Sequence, residues 1–357
     1  MALLPEQILD LVASVQTNYP FKGWNSVAQQ QQKYIAFDQF FKKRKTVEDG
    51  GTELGFTIQY DHQNTGKYVG LYNTVTASVR NTMTQGSMPW RFWYDNYSYD
   101  KKEKAFNSGD KIKIFDLIKT RRESAWLGAA EAVEQNFWGD PAAIDTEVDP
   151  MPLKYWLTVK SASTGAFDGN YHTSFTTKGA INMTTAARYR NWSNIYTNIT
   201  EADLWFKIKE AIDKCQFKCP VPNSGASNPQ PERTLCVSYD TRNGLQELAE
   251  ARNESLGKDG WYVDAPTWKG VPMVWVMNLD DDNPNTPQTY DAVVGIDWST
   301  FAINFAKGMQ LKENKPIIPS NQPSVVRTDM ESSYNTCARN LRGNFVISEN
   351  AAWSPSA

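Results

Sequence analysis

The chain has 357 residues, with 37 Lys+Arg against 40 Asp+Glu and a formal net charge of −3, a balance that excludes a protein whose main work is gripping nucleic acid over a broad basic surface. Hydrophobic residues make up 40% and aromatics 13%, including 13 Trp, so the chain folds, and its length supports one elaborated domain or two compact units. The four cysteines, Cys215, Cys219, Cys236 and Cys337, are too sparse for a disulfide framework and fit a reducing cytosol.

The opening MALLPEQILDLVASV has Leu4, Ile8, Leu11 and Val15 at helical spacing but carries Glu6 and Asp10 and no basic leader, which predicts a short helix and not a secretion signal. Tyr19, Phe21 and Trp24 follow in a polar stretch too thin to build its own core, the pattern of an arm that buries its aromatics elsewhere. Tyr34, Ile35, Phe37, Phe40 and Phe41 then precede the basic run Lys42–Lys45, read as a solvated helix end or as a contact for an acidic neighbour.

After Gly50 and Gly51, the runs ELGFTIQYDH, KYVGLYNTVTASV and MPWRFWYDNYSYD are rich in β-branched and aromatic residues and are separated by turn compositions at 64–66 and 85–87. They read as strands of an extended hairpin that projects from the body. Left alone it would expose Trp90, Phe92, Trp93, Tyr94 and Tyr97 to water, a hazard that a partner surface removes, so the segment argues for ordered self-assembly.

The stretch KIKIFDLIKTRRESAWLGAAEAVEQNFWG, Lys111 to Gly139, repeats apolar residues at helical spacing and predicts one helix about 35 Å long, ended by a left-handed cap at Gly139 before Pro141. Its polar middle, Arg121, Arg122 and Glu123, is read as facing a neighbour, a particle interior or plain solvent. Beyond it, MPLKYWLTVK alternates like a strand, a helix begins at Thr200 with Leu204, Ile208, Ala211, Ile212 and Cys215 on one face, and Thr234 to Tyr239 reads as a strand before a helix over Asn243–Asn253. VPMVWVMNL, two runs flanking Gly295, and the closing YNTCARNLRGNFVISE add further strands. With no 20–50-residue repeat and no regular βαβ alternation, the fold class is α+β.

Catalytic motifs are missing from the sequence. The two histidines, His62 and His172, lack a nucleophile motif, and neither G-x-S-x-G, a phosphate-cradling glycine loop nor H-E-x-x-H occurs. Cys215, Cys219 and Cys236 would need a distant fourth ligand to hold zinc, and Asp280, Asp281 and Asp282 with Asn283 fail the calcium-loop spacing. No cofactor, metal, catalytic residue or membrane span is expected, and the chain is read as a non-enzyme. The rival enzyme reading is a carbohydrate-active or carbohydrate-binding protein that stacks sugars on its tryptophans.

The order of arm, hairpin, long helix, central α+β region and closing strands, with APTWKGVPMVWV, GIDWSTFAINFAKGM and SYNTCARNLRGNFVISE, resembles the major capsid proteins of tailed bacteriophages, the Hong Kong 97-like fold shared with encapsulins. The resemblance implies an N-terminal arm over 1–50, an extended β-hairpin loop over 51–110, a peripheral domain with a spine helix over 111–145 and 290–357, and an axial domain over 146–290. It implies a structural protein that self-assembles into hexamers and pentamers of an icosahedral shell around packaged double-stranded DNA. That shell would be assembled in the host bacterial cytoplasm and found in the virion, with scaffold, portal and decoration proteins as further partners. An encapsulin-like compartment shares the fold and differs in cargo. The inter-subunit contacts expected on this reading are Phe21, Trp24, Tyr68, Trp90, Phe92, Trp93, Arg121 and Arg122.

Overall fold

The computed structural model describes residues 34–42, 45–76, 78–106, 111–139, 148–160, 164–169, 177–216, 232–252, 267–268, 270–280 and 291–349. Helix α1 (Ile35–Lys42) leads into β1 (Lys45–Glu48), the hairpin strands β2 (Glu53–Gln59) and β3 (Met83–Pro89), and the long β4 (Arg91–Asp100), which runs into α2 (Lys101–Phe106). The 28-residue α3 (Lys111–Trp138) follows, then the single turn α4 (Leu153–Trp156), β5 (Thr164–Gly169), β6 (Thr177–Lys178), β7 (Ile181–Asn182) and β8 (Asn191–Tyr196). A π-helical turn, Glu201–Trp205, opens α5 (Phe206–Lys214). Next come β9 (Arg233–Val237), α6 (Tyr239–Arg252), β10 (Thr267–Trp268), β11 (Val271–Trp275), β12 (Val293–Asp297), β13 (Phe301–Ala306), β14 (Lys312–Glu313), β15 (Val325–Ala338) and β16 (Phe345–Glu349).

Two sheets carry the body. A seven-stranded mixed sheet has the order β10-β11-β9-β12-β16-β8-β5, and a five-stranded sheet is built on the 14-residue β15, which pairs with β13, β14 and β4 while β1 extends it beside β13. Strand alternation sorts the first sheet's side chains onto two faces. Leu235, Val237, Val293, Phe345 and Ile347 meet Leu204, Ile208 and Ile212 of the α5 region, while Cys236, Val294, Ile296 and Val346 face the other way. That second face joins the larger core, where the C-terminal half of α3 packs against the five-stranded sheet. Phe137 sits at its centre, 4.9 Å from the ring of Phe40 edge-on and 6.0 Å from that of Trp298. Strands β12 and β16 lie in the seven-stranded sheet and β13 and β15 in the other, so the chain crosses between the two sheets twice within 291–349.

Glu134 ties α1 to α3. Its buried carboxylate accepts the backbone N–H of Ala36 at 3.3 Å and Phe37 at 2.9 Å, together with the indole N–H of Trp138 at 2.8 Å. These are orphan donors at the start of α1, and an anion is the natural acceptor there. Burial raises the carboxyl pKa, and the hydrogen bonds oppose that rise.

Several expectations change. Residues 151–159 are all buried, and the predicted strand MPLKYWLTVK is instead the one-turn α4 followed by extended chain; a run buried on every side has no period to separate helix from strand. KYVGLYNTVTASV forms no strand among its described residues, where the Gln63 side chain reaches the Ser78 carbonyl at 3.0 Å but the ladder of β2 and β3 does not continue. Gly295 lies inside β12 and does not separate two runs: its cross-strand partner is Phe345, whose ring atom Cε1 would be 2.2 Å from any added Cβ. Gly139 ends α3 without a left-handed φ. Thr200 precedes the π-helical turn with no side-chain cap, and the third helix starts at Tyr239, where Asp280 accepts the Tyr239 N–H. Strands β1 and β8 were not anticipated.

Candidate assembly surfaces

The hairpin divides into a docked base and a bare tip. Strand β2 alternates exposed and buried residues, so that Leu54, Phe56 and Ile58 face the body with Met88 of β3. Phe56 lies opposite Gly86, where a Cβ would come within 2.5 Å of its ring, and reaches Trp156 edge-on at 6.4 Å. The base is held further by the N–H of Ser87, which donates to the carbonyl of Gly179 at 3.0 Å. Gly179 and Ala180, with φ of 55° and 60°, form the turn between β6 and β7, the double left-handed geometry that matches hairpin twist.

The tip is different. Tyr68 and Tyr72 are as exposed as in an extended chain, at 109% and 102%, and Leu71 and Val79 are each 91% exposed. Val69, Val75 and Met83 add to the same apolar surface. Exposed apolar surface of this extent is characteristic of interaction sites.

Strand β4 pairs with β15 along its whole length, from Arg91 opposite Tyr334 to Asp100 opposite Val325. Trp90 and Trp93 are half-buried against the larger core, the Trp90 indole donating to the Gly51 carbonyl at 2.9 Å, whereas Phe92 is 73% exposed and Tyr94 points its hydroxyl to Asp329 at 2.6 Å. Of the expected contact residues, Tyr68 and Phe92 are therefore exposed, while Trp90 and Trp93 anchor the start of β4. Phe21 and Trp24 lie outside the described residues.

Arg121 and Arg122 are engaged within the chain. Arg121 makes a two-pronged ion pair with the buried Glu103 of α2 at 3.0 and 3.3 Å and donates to the Ser98 carbonyl of β4 at 2.9 Å. Arg122 meets Glu313 of β14 at 2.7 Å, and the Trp126 indole shares that carboxylate at 2.8 Å. The Arg122 and Trp126 donors hold the Glu313 pKa below the usual carboxylate range against its burial, the larger but opposed effect. These pairs staple the middle of α3 to both edges of the five-stranded sheet, a role that spacing along the helix could not reveal because both partners are distant in sequence.

The residues once weighed for chemistry are dispersed. His62 sits exposed at the hairpin foot, and His172, Cys219, Asp281, Asp282 and Asn283 lie outside the described residues. Cys215, Cys236 and Cys337 are buried free thiols, and burial pushes Cys215 and Cys337 up to about 12. Among the described residues no three His, Cys, Asp or Glu side chains gather as a metal-holding group. Asp280 accepts hydrogen bonds from Tyr239 N and Trp275 Nε1 at 2.8 and 2.6 Å, which fixes a turn. Among the described residues no tryptophan is fully exposed, and Trp138, Trp156, Trp192 and Trp298 are wholly buried, which gives the sugar-stacking reading no support. No described helix is long and apolar enough to cross a membrane.

Two sheets, a 28-residue helix across the smaller one and a docked hairpin with a bare tip define the α+β fold of phage capsid chains, and solved structures of that class match over nearly the whole length. A chain of the cyanophage A-1(L) capsid asymmetric unit superposes with a TM-score of 0.59 at 12% identity, covering 94% of this chain and 98% of its own. A chain of the native GTA particle capsid gives 0.57 at 8% identity, covering 95% and 99%, and one of the bacteriophage PhiM1 mature capsid gives 0.52 at 12% identity, covering 93% and 91%. No protein-family model and no curated protein matches the sequence.

Proposed function

We propose that this chain is the major capsid protein of a tailed bacteriophage, a structural and non-enzymatic subunit that self-assembles as hexamers and pentamers into an icosahedral shell enclosing double-stranded DNA. The observation that carries the reading is the hairpin tip: an apolar segment with Tyr68, Leu71, Tyr72 and Val79 at 91% exposure or more and nothing among the described residues to cover them. A second copy provides both the strand partner and the apolar cover, and a closed lattice repeats that contact at every subunit. The fold shared with chains of the cyanophage A-1(L) and PhiM1 capsids supports the same reading.

On this account Tyr68 and Phe92 contact a neighbour directly, Trp90 and Trp93 fix the angle at which the hairpin leaves the body, and Phe21 and Trp24 bury against an adjacent subunit. Arg121 and Arg122 hold α3 rigid so that the contacts at its two ends keep register. Scaffold, portal and decoration proteins would be further partners, and the mature location is the virion.

Replacing residues 64–80 by a short glycine-rich turn tests this. The cut must stop there, because Gly86 and Met88 belong to the docked base. The variant is expected to stay folded, with an unchanged melting temperature for the unassembled subunit, and to yield no closed particles by sedimentation. Normal particles from it would refute the tip's role.

A further inference from the structure

Four dipeptides in the sequence place glycine directly after a carboxyl or carboxamide side chain of the Asp/Asn length: Asp49–Gly50, Asp168–Gly169, Asn243–Gly244 and Asp259–Gly260. In such a pair the glycine amide nitrogen can attack the preceding side-chain carbon, since no Cβ obstructs the approach and the backbone turns easily. The fold separates the three pairs among the described residues. Asp168 accepts the Ser193 hydroxyl at 2.5 Å, and Gly169 lies in β5 opposite Asn191, whose carboxamide is 2.2 Å from where a Cβ would stand. Gly244 is inside α6 and packs on Ile199, 2.9 Å from an added Cβ. Strand and helix thus hold both peptides away from the reactive geometry. Asp49 has no such restraint. Its side chain is 86% exposed, and its ion pair, to Lys307 at 2.6 Å, is with a group itself 72% exposed, a solvated contact that restrains a carboxylate little. The ladder of β1 with β13 ends at Glu48, Gly50 and Gly51 have φ of 129° and 124°, and nothing lies within 4 Å of a Cβ placed at Gly50. The Gly50 N–H donates no hydrogen bond among the described residues.

We propose that Asp49 is a site of spontaneous modification, isomerising to isoaspartate in the folded chain. The Gly50 amide nitrogen bonds to Cγ of the protonated Asp49 carboxyl, and the amide proton leaves with the carboxyl hydroxyl as water. The cyclic imide so formed takes up water at one of its two carbonyls. Addition at the side-chain carbonyl restores aspartate. Addition at the main-chain carbonyl breaks its bond to the Gly50 nitrogen, so that the chain now runs through Cγ and the former peptide carbonyl becomes a free carboxylate. The water lost is regained, the mass is unchanged, and no oxidant, reductant or enzyme takes part. The main chain gains one methylene between β1 and β2, just before Gly51, whose carbonyl holds the Trp90 indole at 2.9 Å. The change therefore falls at the root of the hairpin.

The test incubates the full-length protein, folded and in denaturant, at neutral pH and physiological temperature. Each sample is digested at intervals, and peptide separation with electron-transfer fragmentation distinguishes isoaspartate from aspartate at equal mass. In denaturant, Asp49 and Asp168 should isomerise at similar rates. In the folded protein Asp49 should keep a rate within a few-fold of that value, while Asp168 slows by roughly tenfold or more, because its reaction waits for local opening of β5. Asp49→Glu, which would need a larger ring, should lose the signal in that peptide and keep the melting temperature of the wild type. If Asp49→Glu fails to fold, the wild-type comparison of the two sites decides. Folding that slows Asp49 as much as Asp168 would overturn the proposal, as would an isoaspartyl signal that persists in the same peptide of Asp49→Glu.

Discussion

Lys178 shows how much the fold asks of one side chain. It is wholly buried beneath the hairpin base, and its amine donates to the carbonyl of Trp156 at 2.7 Å, the hydroxyl of Thr158 at 3.1 Å and the carbonyl of Gly169 at 3.3 Å. Three neutral oxygens replace its water, and burial alone pushes its pKa down to about 7, against an ordinary lysine value of about 10.4 in the unfolded chain. Between those values the unfolded chain holds the proton more fully than the folded one, so stability rises with pH through the window from about 7 to about 10 and is flat below it. Denaturant unfolding of the unassembled subunit across that range should show an upward slope in wild type relative to Lys178→Met. Parallel pH profiles for the two proteins would contradict the assignment. In the sequence Lys178 is one more polar residue among Gly, Ser, Thr and Asn; its burial follows from the turn at Gly179 and Ala180, which the packing of Phe56 and Trp156 around Gly179 makes visible.

At the scale of elements, the sequence disclosed those whose pattern is local. The spacing of Ala129, Val133 and Phe137 revealed α3, and the alternation of Leu54, Phe56 and Ile58 revealed β2, because each element has one wet and one dry side. Elements whose character comes from distant partners were hidden. Strand β8 reads as polar, NWSNIY, yet Asn191, Ser193 and Asn194 are buried, and the Asn191 side chain exchanges hydrogen bonds with the backbone of Thr158 at 2.9 and 3.3 Å. The pairing of β12 with β16 was hidden for a steric reason: Gly295 admits the Phe345 ring, which also meets Trp192 edge-on at 6.2 Å. Gly295→Ala is therefore expected to destabilise the subunit by about 1–3 kcal/mol through overpacking, and Phe345→Leu in the same chain should restore part of the loss. Thermal unfolding of the three proteins checks this, and an unchanged melting temperature for Gly295→Ala alone would show that the strands shift apart at no cost.

For the whole molecule, the sequence carried the arrangement of parts and an argument for self-assembly, since strand-forming aromatics with no partner need one. It carried less of the contact surface. Trp90 and Trp93, expected at a subunit contact, are half-buried against the larger core, and Arg121 and Arg122, expected there too, pair with Glu103 and Glu313 within the chain. In each case the deciding neighbour is far along the chain, so no local pattern encodes it. A single subunit leaves the tip exposed, and a lattice of identical subunits would cover it. Electron microscopy of the purified wild-type chain tests that claim most directly: the account predicts closed shells with five-fold vertices, and a monodisperse monomer under conditions where the subunit is folded would contradict it.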